Sequence, residues 1–333
     1  MQTASVMIQS LCVPCNNRCR HCLLSWNGRV EGAPWERSVA LAERYLNEIK
    51  EQKPFLRASF TFGCSMEHPD LKGAIRTLRR LGSPMAEMLQ CDGMKERNES
   101  ECRALMEMLR DEGIKQLNFT VYGLADYHDR FAGRRGDHAL LVRMMRAAGN
   151  AGIPFSVGIV LTRENLSQID ELVRMLESLG SEKTRLFVPH GEGRGRFLAD
   201  VRVKESDLTL LAPETRALLN IDVYRTEGDW LKEERPVKND KRLILISLRT
   251  DNIEEYEKRG ALSVVEEIES LDEAYYAAFP AFSVLADLYG DRAGEKLYRV
   301  DDLYRHFRQL YASEHSVKVY DVTDERLSGS RRY

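Results

Sequence analysis

Six extended apolar segments alternate with amphipathic helical patterns between residues 4 and 189, which restricts the chain to folds with a parallel sheet joined by crossover helices. The predicted strands are 4–11, 57–62, 85–90, 116–121, 154–161 and 185–189. Between them, apolar residues recur three or four positions apart, as in Leu41, Tyr45 and Ile49, in Leu71, Ile75 and Leu78, in Leu105, Met108 and Leu109, in Leu140, Met144 and Ala148, and in Ile169, Leu172, Val173 and Leu176. Gly113, Gly152 and Gly180 stand where helix C-termini are expected. Periodicity alone leaves both a doubly wound sheet and a partial barrel open. In either fold, chemistry gathers at the C-terminal ends of the strands. Cys15–Cys22, 63–69, 91–93, 122–123 and 190–196 all follow predicted strands directly, so these segments are expected to meet at one mouth.

With 333 residues, 43% of them hydrophobic, the chain can bury a large core. A formal net charge of −3, with both signs mixed along the length, gives no electrostatic footprint for nucleic acid or an anionic membrane. No segment resembles a secretory signal or a membrane span, so a cytoplasmic location is expected. After about residue 200 the βα rhythm breaks, with a boundary near 197–206. This divides the chain into a core of residues 1–200 and a mixed, mainly helical extension over 201–333, with a strand at Arg242–Ser247, helices near 263–289 and 300–312, and a loose tail over Arg326–Tyr333. The extension carries two stretches rich in aromatic residues at helical spacing, read as core packing against the first part.

Four of the seven cysteines fall within LCVPCNNRCRHC, and the last three, Cys15, Cys19 and Cys22, have CxxxCxxC spacing. Thiolates four and then three residues apart on a tight loop wrap three corners of an iron–sulfur cube, leaving one iron without a protein ligand. An open coordination position separates a reactive metal site from a closed structural one. Including Cys12 would close the set around zinc or a ferredoxin-type cluster, giving a binding scaffold without radical chemistry. Zinc pairs usually lie a dozen or more residues apart, and Cys12 reads more simply as a buried strand-end residue.

At this loop the chain resembles the radical S-adenosylmethionine superfamily, whose CxxxCxΦC hallmark is matched by Cys15, Cys19 and Cys22, with His21 at the usually aromatic position. TFGCSMEHPDL resembles the family's GGEP segment, which implies that Gly63, Glu67 and Pro69 receive the amino group of the cofactor. The plainer reading is a helix-entry loop with Asp70 as N-cap. QCDGM, NFTVYG, the stretch from YHDRFAGRRG to AGIPFSVGIVLTREN, and FVPHGEGRGR resemble later family segments, especially those of SPASM-related peptide maturases. By that resemblance Asn118, Thr120, Arg163 and Arg194 line the cofactor cleft.

The resemblance implies a partial (β/α)6 TIM-like barrel, a [4Fe–4S] cluster, S-adenosyl-L-methionine, and an external one-electron donor of flavodoxin or ferredoxin type. It also implies anaerobic chemistry in which a 5′-deoxyadenosyl radical takes hydrogen from a peptide, amino-acid or small-molecule substrate. The match departs from SPASM proteins in having no cysteine after Cys102, so this chain cannot build their auxiliary clusters. A leader-peptide-binding domain before the barrel is not expected.

Cys91, at the end of strand three, is a candidate to face the mouth and return a hydrogen atom, with Tyr122 and Cys64 as weaker alternatives; each is otherwise a packed residue. His68, His128, His138 and His190 read mainly as hydrogen-bonded loop residues, His190 being nearest a strand end. Asp126, His128 and Asp129 are expected to order the loop after strand four.

Overall fold

The computed structural model describes residues 2–11, 15–23, 32–63, 65–233, 241–317 and 330–332. All six expected strands form: β1 (Gln2–Leu11), β2 (Arg57–Gly63), β3 (Met88–Gln90), β4 (Gln116–Val121), β5 (Phe155–Val160) and β6 (Lys183–Phe187). The connecting helices are α1 (Trp35–Gln52), α2 (Leu71–Arg80), α3 (Glu99–Asp111), α4 (Ala125–Ala132), α5 (Asp137–Ala151) and α6 (Leu166–Ser178). The expected helical stripes are largely buried; Leu41, Tyr45 and Ile49 of α1 and Ile169, Leu172 and Leu176 of α6 are nearly inaccessible. Asn98 and Glu101 form a capping box that starts α3, Asn98 accepting from the Glu101 N–H and Glu101 from the Asn98 N–H. Strand three begins later than the sequence suggests, because Pro84–Glu87 form a 3₁₀ turn entered through the Ser83 cap.

The strands form two four-stranded sheets, one ordered β3-β4-β5-β6 and parallel throughout, the other containing β1 beside β2. No ladder joins β2 to β3 among the described residues, so the barrel is open, as a partial barrel requires. Along β4, Leu117, Phe119 and Val121 are buried on the helix side, whereas Asn118 and Thr120 take the other face. There Asn118 pairs with Ser156 and Thr120 with Gly158 of β5. The two-residue period thus gives the concave side of this sheet a polar lining.

The second half begins with α7 (Pro213–Arg216), β7 (Arg225–Thr226) and α8 (Glu227–Lys232), and continues with β8 (Lys241–Leu248), α9 (Ile253–Glu257) and α10 (Ala261–Ala277). It ends with α11 (Phe282–Tyr289), β9 (Leu297–Tyr298), α12 (Val300–His315) and β10 (Ser330–Arg332). The expected strand at 242–247 is β8, and it lies parallel to β1 with Ile246 opposite Ile8. It therefore continues the parallel succession on the far side of β1 as a further βα unit. The Glu48 carboxylate of α1 caps α10, accepting from the Ala261 N–H at 2.8 Å. The buried Arg242 ties β8 to α10 through Asp272, with 2.8 Å between Nε and Oδ2.

The helical stretch expected near 263–289 is divided into α10 and α11. Pro280 has no N–H to donate and disfavours helix before it, so α10 ends and α11 starts afresh. The tail expected to be loose has Ser330–Arg332 paired antiparallel to β8. A small second core of Trp230, Leu285, Tyr298, Leu303 and Phe307 holds α8, α11, β9 and α12 together.

Helix α12 links the mouth to α10. Asp302 accepts the Gly191 N–H at 2.9 Å and Arg305 binds Glu192, both beyond β6. One turn on, Arg308 lies 4.5 Å from the Tyr276 ring of α10 and 4.6 Å from that of Tyr304. Among the described residues no helix is long and apolar enough to cross a membrane.

Candidate cofactor site at the strand ends

The loop of residues 15–23 is held by backbone bonds from three directions. The Asn16 N–H and side-chain amide both donate to Gly93 O at 2.9 Å, beyond β3. Arg18 N donates to Ala132 O at 2.7 Å and Arg20 N to Phe131 O at 3.0 Å, at the end of α4. From the loop beyond β6, Arg194 N donates to Cys22 O at 2.9 Å and Arg194 Nε to Cys19 O at 2.8 Å. Glycines make this closeness possible. Gly93 has φ +61° and a Cβ there would overlap Cys15 Sγ; Gly193 has φ +52° and a Cβ there would overlap Cys22 O and Leu23 O.

Cys15, Cys19 and Cys22 are partly exposed on this loop. Cys12 and Cys64 lie outside the described residues. Burial pushes the Cys19 thiol up to about 12, against the lowering effect of the Tyr122 hydrogen bond. Three thiols form a soft donor set suited to iron–sulfur ligation. Among the described residues no three cysteine, histidine, aspartate or glutamate side chains converge on a point where one ion could sit. A cluster takes each sulfur on a different iron, so the donor set fits a cluster without that convergence. His21, at the position where family members carry an aromatic residue, turns toward Tyr122, Phe131 and Phe187, with ring centroids 5.2, 5.7 and 6.5 Å away. Burial, with the neighbouring His190 and Arg194 charges, holds it down to about 4, so it packs as a neutral ring.

Of the residues expected to receive the cofactor, Gly63 ends β2 and Pro69 is exposed. Glu67 is committed within the protein, paired with the buried Arg97 at 2.6 Å and accepting from the Lys95 N–H at 2.9 Å. Asp70 caps α2 through the Gly73 N–H at 2.9 Å. Asn118 accepts from Ser156 Oγ at 2.5 Å on the concave face, and Thr120 lies two residues further along it. Arg194 touches the cysteine loop, whereas Arg163 pairs with Asp207 at 3.1 Å.

Cys91 does not face the mouth as expected. Its N–H continues the ladder to Asn118 O at 2.8 Å, and strand parity puts its side chain with Leu89 on the helix side, fully buried in the main core. That parity turns Gln90 and Asp92 to the concave side. Asp92 accepts from Thr120 N and Oγ1, both at 3.1 Å, and from Gln90 Nε2 at 2.6 Å. Burial still pushes its carboxyl up to about 6. Asp92 lies within QCDGM, and the alternation of Leu89 and Cys91 with Gln90 and Asp92 is the sequence signal for its inward position.

Tyr122 is buried and donates its phenol O–H to Cys19 Sγ at 3.2 Å. Burial, with Cys19 and Asp92 nearby, pushes its own ionisation well above the ordinary range. His128 is fully buried; its Nδ1 accepts the Tyr122 N–H at 3.2 Å and its Nε2 is 3.0 Å from Asp137 Oδ2. His68 Nδ1 accepts the Asp70 N–H, and Asp129 accepts the Gly136 and His138 N–H groups. Asp126 is exposed. His190 is 3.5 Å from Asp302.

Residues 11–176 match the sequence profile of the Radical SAM superfamily. The AdoMet-dependent heme synthase of Oleidesulfovibrio alaskensis is 26% identical over 186 residues, covering 55% of this chain and 45% of that protein. The protein of the same name from Nitratidesulfovibrio vulgaris is 24% identical over 227 residues, covering 66% and 56%. The chain therefore spans about half the length of these curated relatives. Among solved structures, Streptococcus suis SuiB bound to precursor peptide SuiA aligns at a TM-score of 0.46 and 15% identity, over 62% of this chain and 44% of that one. The Escherichia coli coproporphyrinogen III oxidase HemN, a radical SAM enzyme, aligns at 0.42 and 15% identity, over 74% and 63%.

Proposed function

The chain carries a domain of the radical SAM superfamily over residues 11–176, and from that premise we propose that it is a radical SAM enzyme in which Cys15, Cys19 and Cys22 hold a [4Fe–4S] cluster with one iron free of protein ligands. The observation that carries this reading is the grip on the cysteine loop: backbone groups beyond β3, α4 and β6 fix a segment bearing three thiols at one end of the parallel strands. When bound and reduced, such a cluster supplies the electron that splits the sulfonium of S-adenosylmethionine to methionine and a 5′-deoxyadenosyl radical.

The chain's own part is to bind, orient and keep water away. Gln90, Asp92, Asn118 and Thr120 offer hydrogen-bond partners along the concave face, where a ligand with hydroxyl and amide groups is held by several directional contacts. Arg194 fixes Cys19 and Cys22 through their carbonyls and brings a positive charge next to the loop. Gly63, Glu67 and Pro69 complete the cofactor side, with Glu67 acting through the Lys95 and Arg97 segment it anchors.

The substrate in this proposal is a peptide, an amino acid or a small molecule. The curated relatives' name, AdoMet-dependent heme synthase, supports the small-molecule choice. Residues 201–333 cap the substrate side, with α12 reaching to the loop beyond β6. An external donor of flavodoxin or ferredoxin type supplies electrons in the cytoplasm.

The test is anaerobic reconstitution with iron and sulfide, addition of S-adenosylmethionine and a reductant, and measurement of 5′-deoxyadenosine. Wild-type protein should be brown and form it; Cys15→Ala, Cys19→Ala and Cys22→Ala should each lose both properties. Colourless protein with stoichiometric zinc, or cleavage that survives all three substitutions, would overturn the reading.

A further inference from the structure

The hydrogen bond from Tyr122 to Cys19 is held from both ends. On the tyrosine side, the ring stacks on His128 at 4.8 Å and packs against Phe131 at 4.6 Å. The His128 Nδ1 accepts the Tyr122 N–H, so the ring proton is on Nε2 and points to Asp137 Oδ2 at 3.0 Å. On the cysteine side, the same Asp137 oxygen accepts from the Asn17 side-chain amide at 2.8 Å, two residues before Cys19. Asn17, Asp137, His128 and Tyr122 thus form a buried loop of bonds that starts and ends on the cysteine segment.

We infer that Tyr122 is a positioning residue that tunes the proposed cluster, its phenol O–H raising the cluster's reduction potential through Cys19 Sγ, with His128 and Asp137 fixing the phenol. The inference rests on Cys19 being a cluster ligand. A ligated thiolate can only accept, so the phenol donates to it. Reduction adds negative charge that delocalises onto the sulfurs, and a donor at one sulfur stabilises the reduced state more than the oxidised one. The surrounding Tyr127, Phe131, Ala132, Val160 and Leu198 are buried, and a site of low polarity strengthens the effect. This assigns Tyr122 a role other than returning a hydrogen atom to substrate.

The test uses the full chain, reconstituted anaerobically. Tyr122→Phe keeps the ring and its stacking and deletes only the O–H. Iron content should be unchanged. At a fixed potential, the reduced-to-oxidised ratio should be roughly tenfold smaller, equivalent to a midpoint about 59 mV more negative for one electron. In the reduced wild-type cluster, an exchangeable proton should couple to the iron spins and disappear both in D₂O and in Tyr122→Phe. An unchanged midpoint with the proton still present would overturn the inference. Should Tyr122→Phe fail to hold a cluster, the wild-type proton signal decides alone: its presence supports the inference and its absence ends it. Full cluster retention in Cys19→Ala would instead remove the ligand assignment, a separate result.

Discussion

Gly93 lies so close against Cys15 that a Cβ at residue 93 would overlap the cysteine Sγ, and its φ of +61° is one that L side chains rarely adopt. The carbonyl of the same glycine accepts both donors of Asn16. Gly93→Ala should therefore push the cysteine loop off its seat while leaving the strands intact. The expected outcome is loss of most iron on reconstitution at a stability cost of only about 1–2 kcal/mol. Iron analysis beside a denaturant titration checks it; full iron loading would show that the close approach is dispensable.

Asp302 couples α12 to the mouth. Burial alone would push its carboxyl up, but the hydrogen bond and charge of His190, the Arg202 charge and the Gly191 N–H together bring it down to about 2. A carboxyl depressed on folding contributes stability above its unfolded value near 4, and that contribution is lost as pH falls from about 4 through 2. The shift corresponds to roughly 2–3 kcal/mol. Asp302→Asn should be destabilised at pH 7 and should lack this part of the wild type's acid-induced loss below pH 4. Equal stability curves for the two proteins from pH 7 to 2 would contradict the coupling.

Cys91 behaves as a core residue. Cys91→Ala should cost about 1 kcal/mol for the small cavity it leaves, with cluster content and 5′-deoxyadenosine yield unchanged. A variant of native stability that forms a different product would restore the hydrogen-donor role.

What was legible in the sequence was local. The six strands and the stripes of α1 to α6 are short-period patterns, and the spacing of Cys15, Cys19 and Cys22 lies within eight residues. Strand β8 was legible as a strand but not as a neighbour of β1, because the pairing of Ile8 with Ile246 crosses most of the chain and no repeating βα rhythm leads up to it. Which of Cys91 and Asp92 faces inward depended on where β3 places its last pleat, and a shift of one residue exchanges them. The commitment of Glu67 to Arg97 joins two loops that no sequence period relates. The closed path from Asn17 through Asp137 and His128 to Tyr122 brings together residues from the cysteine loop, α4, α5 and the end of β4.

The most direct test of the account is Mössbauer spectroscopy of the ⁵⁷Fe-reconstituted chain, with and without S-adenosylmethionine, in wild type and in Cys12→Ala. The account predicts, in both proteins, a four-iron cluster in which one iron changes its isomer shift when the cofactor is added. Four irons that ignore the cofactor, or a cluster lost with Cys12, would mean that every corner is held by the protein and that the radical chemistry has no iron to start from.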